Sequence, residues 1–216
     1  MIHEERSIIL QRRTRDTFVS DFDQKVRPTV EANGGEVLCT LSAAIGDPDE
    51  DVLQMTRFPD YQAWEQAQAA RAANPIGLFQ SESVRLLKPV ANRPKDVIPA
   101  EDLRAFYGHR RFFISPGDLD EFVDCSENGI WPRIHAQGAS VLGLWTTVAS
   151  TSPMEIVLLT GYDGPAHWEE TRALQDDAPE GYDQKVWTHS RRKAAQRAQL
   201  TIRTWVRLMR RVKTRI

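Results

Sequence analysis

The chain spells one phrase twice. "KVRPTVEANGGEVLCTLS" runs over residues 25–42, and "GIWPRIHAQGASVLGLWT" runs over 129–146. An ungapped offset of 104 applied to residues 6–80 makes 16 of 75 positions identical, among them Arg6/Arg110, Pro28/Pro132, Gly34/Gly138, Trp64/Trp168 and Gly77/Gly181. Ordinary residue frequencies would give roughly four or five. Whatever this chain folds into must therefore be a structure that can be built twice, and 216 residues leave room for two small copies.

Each copy reads as strand, helix, strand, strand, helix, strand. In the second, "AFYGHRRFFIS" is an aromatic-rich strand, and Pro116-Gly117 is a turn. Leu119, Phe122, Val123 and Ser126 recur at helical spacing, with Gly129 and Pro132 expected to disturb the helix and Gly138 to stop it. "SVLGLWTTV" and "MEIVLLTGY" form a hairpin across "ASTSP"; "GPAHWEETRALQ" is a second helix and "YDQKVWTHS" a fourth strand. The first copy keeps this order, with "GDPDED" as its solvated hairpin loop and "SESVRLLKP" as its fourth strand.

A βαββαβ order is ferredoxin-like, an α+β arrangement with helices on one sheet face. The other face needs a cover, and a second copy can supply it. The third strands suggest which face is which. Leu53, Met55, Val157 and Leu159 are uniformly apolar and are expected to face helices. Val52, Gln54, Thr56 and Phe58, with Ile156, Leu158, Thr160 and Tyr162, make a mixed face suited to a partly polar space between the sheets. The expected organisation is repeat 1 over 1–88, a proline-rich linker over 89–105, repeat 2 over 106–190 and a basic amphipathic helix over 191–216. The two repeats are expected to pair sheet to sheet as an intramolecular α/β barrel.

Composition narrows the setting. No apolar run approaches the roughly 20 residues that span a bilayer. "MIHEERSIILQRRTRD" carries acids where a secretory signal has basic residues, so the expected location is cytoplasmic. Cys39 and Cys125 have no metal or redox spacing and read as small buried residues. The net charge of −2 hides an asymmetry: eleven of the 28 basic residues lie from Gln184 onward with no acid among them, leaving 17 basic and 30 acidic residues before it, a net of −13.

"YGHRRFFISPGDLDEF", "IWPRIHAQGASVLGLWTT" and "MEIVLLTGYDGPAHWEETR" in the second copy resemble the NIPSNAP family of the dimeric α/β-barrel superfamily, as does "GGEVLCTLSAAIGDPDEDVLQMTRFPDYQAWEQAQAA" in the first. The likeness covers about residues 4–85 and 106–190. It implies a barrel with an enclosed cavity. It implies no single reaction, since the motifs report packing more than catalysis.

Arg110, matched by Arg6 and by the family's strand-one arginine, is the first site candidate. Its planar fork can clamp a carboxylate or phenolate; a structural ion pair is the plainer reading, favoured by its presence in both copies. Trp145 stands where copy one has Leu41, and Tyr162 where it has Phe58; together they can offer an aromatic wall and a polar handle, or simply pack. His109 is the histidine best placed for acid–base work, although a satisfied histidine is the more ordinary reading. Thr56, Phe58 and Thr160 complete the mixed face. No histidine or cysteine spacing binds metal, and no phosphate loop or nucleophile elbow appears. The expectation is a small apolar or aromatic ligand bound by Arg110, Trp145, Thr160, Tyr162, Thr56 and Phe58, with His109, Arg110 and Tyr162 as catalytic candidates and no metal or tightly held cofactor.

The tail holds Ala195, Ala198, Ile202, Trp205, Met209, Val212 and Ile216 at spacings of three and four, an apolar seam on a helix. It can pack on the acidic body or a second copy of the chain, or lie on an anionic membrane. Nucleic acid is disfavoured, because the aromatic interleaving of single-strand binders is missing. A protein-interaction or membrane-associated module docking through this helix is the alternative to small-molecule binding.

Overall fold

A computed structural model describes residues 1–149, 152–172 and 176–212. They form two units, one of Met1–Lys88 with the residues from Met209 on, the other of Pro89–Leu208.

Unit one runs β1 (Ile2–Leu10), α1 (Arg15–Asp21), α2 (Arg27–Ala32), β2 (Glu36–Ile45), β3 (Asp51–Phe58), α3 (Tyr61–Ala73) and β4 (Phe79–Pro89). Its antiparallel sheet has the order β4-β1-β3-β2. Unit two runs β5 (Phe106–Ile114), α4 (Leu119–Asp124), α5 (Trp131–Ala136), β6 (Ser140–Thr147), β7 (Met154–Tyr162), α6 (Pro165–Glu170), α7 (Gln184–Leu200) and β8 (Thr201–Arg211), with the order β8-β5-β7-β6. Both follow the ferredoxin-like order. The registers also correspond at an offset of 104. Glu4 faces Thr56 and Arg6 faces Gln54; Gly108 faces Thr160 and Arg110 faces Leu158. A bulge falls between Val37 and Cys39 in one sheet and between Val141 and Gly143 in the other.

The prolines expected to disturb the first helices do so without ending them. Wide π turns, Phe22–Val26 and Cys125–Ile130, lead into α2 and α5, where Pro28 and Pro132 sit in the first helical turn. There a missing N–H costs nothing, and the widened turn relieves the ring's clash with the preceding carbonyls. Gly34 (φ +76°) and Gly138 (φ +85°) then close the helices in the left-handed conformation, each N–H donating to a carbonyl three residues back at 2.9 Å.

Two expectations are overturned. The first concerns sheet faces. Val52 and Phe58 pack with Phe18, Phe22, Val26 and Val30 of the helical segments. Ile156, Leu158 and Tyr162 pack with Phe122, Ile130, Trp131 and Ile134. The mixed face is thus the helix-covered one, and Leu53, Met55, Val157 and Leu159 are buried on the opposite face. Alternation separates two faces without saying which meets the helices. The helices bring polar side chains as well as apolar ones, so a mixed face suits them.

The second concerns the C-terminal region. "YDQKVWTHS" is not a strand but the start of α7, capped by Asp183, whose Oδ1 accepts from the N–H groups of Lys185 (2.7 Å) and Val186 (3.3 Å). The expected helix over 191–216 breaks at Thr201 and continues as β8. Thr201, Ile202, Thr204 and Val206 are β-branched and favour a strand, and this strand supplies the fourth position of the unit-two sheet. The three-four seam was coincidental, and with it goes the proposed docking helix. Ser150, Thr151, residues 173–175 of the predicted second helix, and 213–216 of the predicted tail lie outside the described residues. Among the described residues no helix is long and apolar enough to cross a membrane.

Candidate functional site

Strand alternation sends Gly108, Arg110 and Phe112 of β5 to the helix-covered face of unit two, along with Leu158, Thr160 and Tyr162 of β7. A cavity of about 230 Å³ opens there, roofed by α5, α6 and α7. Arg110, Arg133, Arg172 and Arg197 all line it, and its lining contains no carboxylate. None of the four makes an ion pair with a described residue.

Their existing partners are neutral. Arg133 is buried; its Nε donates to Ser190 Oγ (3.1 Å), and its Nη1 donates to Gln137 Oε1 (2.6 Å) and the Thr171 carbonyl (3.1 Å). Arg197 Nη1 donates to Ser126 Oγ at 3.1 Å, and its Cζ lies 4.9 Å from the Phe112 ring centre. Arg110 lies over Phe112 at 5.6 Å, and the exposed Arg172 over Trp168 at 4.7 Å. Aromatic faces hold a guanidinium without cancelling its charge.

The titration behaviour follows. Burial first, then the charge of Arg172, lowers the Arg110 pKa, with Tyr162 opposing. Burial, then Arg110, brings Arg197 down to about 9. Burial lowers that of Arg133 and raises that of the Tyr162 phenol. Such a cluster is costly on its own and favourable around an anion. The indole N–H of Trp131 points to the same conclusion: Trp131 lines the cavity, is buried, and has no hydrogen-bond partner among the described residues.

Of the residues singled out in the sequence, Arg110, Thr160 and Tyr162 meet at this cavity. His109 is next to Arg110 in β5 and so faces the other way; buried, it accepts at Nδ1 from Arg207 Nε (3.0 Å). Trp145 is fully buried outside the cavity lining, its ring so close to Gly143 that a Cβ there would lie 2.2 Å from it. Thr56 and Phe58 are buried in unit one. The cavity is on the mixed face, where the sequence placed a pocket, but that face meets helices, so the cavity lies between sheet and helices. Arg133, Arg172, Arg197, Trp131 and Trp168 were not singled out as ligand-binding. The usable signal was in the repeat: the offset replaces Glu4 by Gly108 and Gln68 by Arg172, removing a negative charge and adding a positive one.

The matching place in unit one shows what was removed. Its cavity, about 190 Å³, is lined by Arg6, Arg71 and Glu82 among others. The buried Glu4 carboxylate beside it accepts from Arg6 Nε (2.8 Å), Arg71 Nη1 (3.0 Å), Trp64 Nε1 (2.7 Å) and Gln68 Nε2 (2.8 Å). Arg6 also pairs with Glu82 at 2.6 Å. Burial is the largest effect on Glu4 and pushes its pKa up, but Arg6, Arg71 and Trp64 together hold it below the usual range. Arg6 is raised above its usual value because Glu4 and Glu82 outweigh burial.

No family model matches the sequence, and no curated protein does. Solved structures are similar in fold. A provisionally named monooxygenase from Lactobacillus acidophilus superposes with a TM-score of 0.64 at 10% identity, over 97% of this chain and 93% of its own. A chlorite dismutase variant from Candidatus Nitrospira defluvii gives 0.58 at 8% identity, over 99% and 92%. A NIPSNAP domain protein from Burkholderia xenovorans matches 46% of this chain and 99% of its own at 12% identity, with a TM-score of only 0.34. At such identities the shared property is the ferredoxin-like α+β fold.

Proposed function

We propose that this protein binds a small molecule with an anionic group and an apolar or aromatic body in the cavity of unit two. The observation that carries the reading is the gathering of Arg110, Arg133, Arg172 and Arg197 around one cavity whose lining holds no carboxylate. Trp131, Trp168 and Tyr162 supply the aromatic surface. Arg110 holds the anion, and Tyr162, kept protonated by its raised pKa, is the group that can donate or shuttle a proton should the ligand be converted there. Such a conversion would proceed without a tightly held cofactor. The fold neighbours named as monooxygenase and chlorite dismutase are compatible with small-molecule chemistry on this architecture. We read the two units as copies of one module, in a protein of the cytoplasm.

The test is a thermal-shift screen of the full chain against small carboxylates, phenolates, phosphate and sulfonates, with neutral isosteres as controls. At least one anion should raise the melting temperature in proportion to its concentration, and Arg110→Ala should erase that rise. A screen in which neutral isosteres stabilise as well as the anions removes the proposal.

A further inference from the structure

Resting on that reading of the unit-two cavity, we infer that its ligand is a carboxylate of single-ring size, and that the ligand's carboxylate takes the place in unit two that the Glu4 side chain holds in unit one. Unit one carries its own anion, held by four donors; unit two has counterparts of three of them without the anion, the fourth, Arg71, having become Gln175. Glu4 becomes Gly108 at the offset of 104, at the same register position of the sheet. Arg6 becomes Arg110, Trp64 stays as Trp168, and Gln68, which donates to Glu4, becomes Arg172. Three of the groups that touch or flank the Glu4 carboxylate thus keep or gain donor capacity, while the acceptor is gone.

The geometry leaves that place open. A Cβ built on Gly108 would lie 3.4 Å from Tyr162 Cε2, 3.6 Å from Val206 Cγ2 and 3.7 Å from Trp168 Nε1, all ordinary contact distances. A group there would meet the Trp168 indole, whose unit-one counterpart donates to Glu4 at 2.7 Å. Trp168 Nε1 makes no hydrogen bond to a described residue.

A carboxylate matches the forked guanidinium and the single indole donor in the way Glu4 does. The body of the ligand is limited by the cavity. About 230 Å³ is below the roughly 300–1,000 Å³ of pockets for drug-sized ligands, and Trp131, Trp168 and Tyr162 line it, so one planar ring is the fitting size.

The experiment titrates benzoate into the full-length protein by calorimetry, with benzamide and inorganic phosphate as comparison ligands. Benzoate should bind at least tenfold more tightly than either. Gly108→Glu should supply the missing carboxylate internally: benzoate affinity should fall by tenfold or more while the melting temperature rises. Should Gly108→Glu fail to fold, Arg172→Gln restores the unit-one residue and should weaken benzoate at least fivefold. Parent-like benzoate binding by Gly108→Glu, or by Arg172→Gln in its stead, overturns the inference and leaves the anion-site reading standing. Preference for phosphate over benzoate overturns the ligand class. A parent protein that binds none of the anions defeats the underlying site itself.

Discussion

Arg6 and Arg110 occupy matched positions on matched strands, yet they do different things. Arg6 is buried against Glu4 and Glu82, and its neighbour Arg71 shares the same carboxylate. Arg110 looks into a cavity with three more arginines and no acid. One unit meets its strand arginine with carboxylates of its own; the other offers its strand arginine no carboxylate in the cavity lining. A duplicated residue therefore need not carry a duplicated role. Its partners decide, and here they differ: Glu4 has become Gly108, Gln68 has become Arg172, Arg71 has become Gln175, and no carboxylate in the cavity lining stands in for Glu82.

The sharpest way to break this comparison is to remove the internal anion. Glu4→Ala takes from Arg71 its carboxylate partner and leaves Arg6 with Glu82 alone, and should destabilise the protein by ~3–5 kcal/mol, the usual cost of breaking a buried pair. Arg110→Ala should change stability by no more than about 1 kcal/mol, since it removes an unpaired charge. Chemical denaturation of the two variants checks the contrast; equal losses would dissolve it.

A second difference is visible on acidification. His3 is fully buried, and burial, then Arg57 and the N-terminus, lowers its pKa to about 4. Its folded pKa lies below the unfolded value of 6.5, so its contribution is complete above 6.5 and is lost as pH falls towards 4. At pH 5 the loss should be about 2 kcal/mol. The matched residue in unit two is Tyr107, also buried, whose hydroxyl accepts from the Arg104 N–H at 3.1 Å. His3→Tyr should therefore flatten the stability profile between pH 7 and 4, as read by melting temperature.

Smaller effects concern the anion site. Arg110→Ala should weaken binding of any anion found by screening at least tenfold, or about 1.4 kcal/mol. Arg197, whose pKa burial and then Arg110 lower, is a second arginine that an anion would relieve. Arg197→Met should weaken anion binding severalfold, as read by calorimetry, and parent-like affinity in that variant would place the bound anion away from Arg197.

Much of the frame was legible in the sequence. The alternation over 51–58 and 154–162, the turn and cap glycines, and the prolines at 28 and 132 act within a few residues of chain, so local pattern reveals them. The region from 182 to 211 was misread because its local signals conflict. Val186, Trp187 and Thr188 suit a strand, and the apolar spacing from 195 to 216 suits a helix. The Asp183 cap and the vacant fourth position in the sheet override both. For the site, Arg110, Thr160 and Tyr162 were visible because they sit in strands of clear period. Arg133, Arg172 and Arg197 come from separate helical segments, and convergence of that kind has no sequence period.

What the sequence determined by itself is the strand and helix order up to the second helix of each copy and the parity of the residues over 51–58 and 154–162, because side-chain alternation and the even offset are properties of the chain alone. Which parity class meets the helices was settled only in three dimensions. So was whether a strand arginine finds a carboxylate, because its partners lie as far along the chain as Glu82 does from Arg6 and Arg197 does from Arg110. Coulomb energy depends on distance in space and on burial, and neither is written in the order of residues.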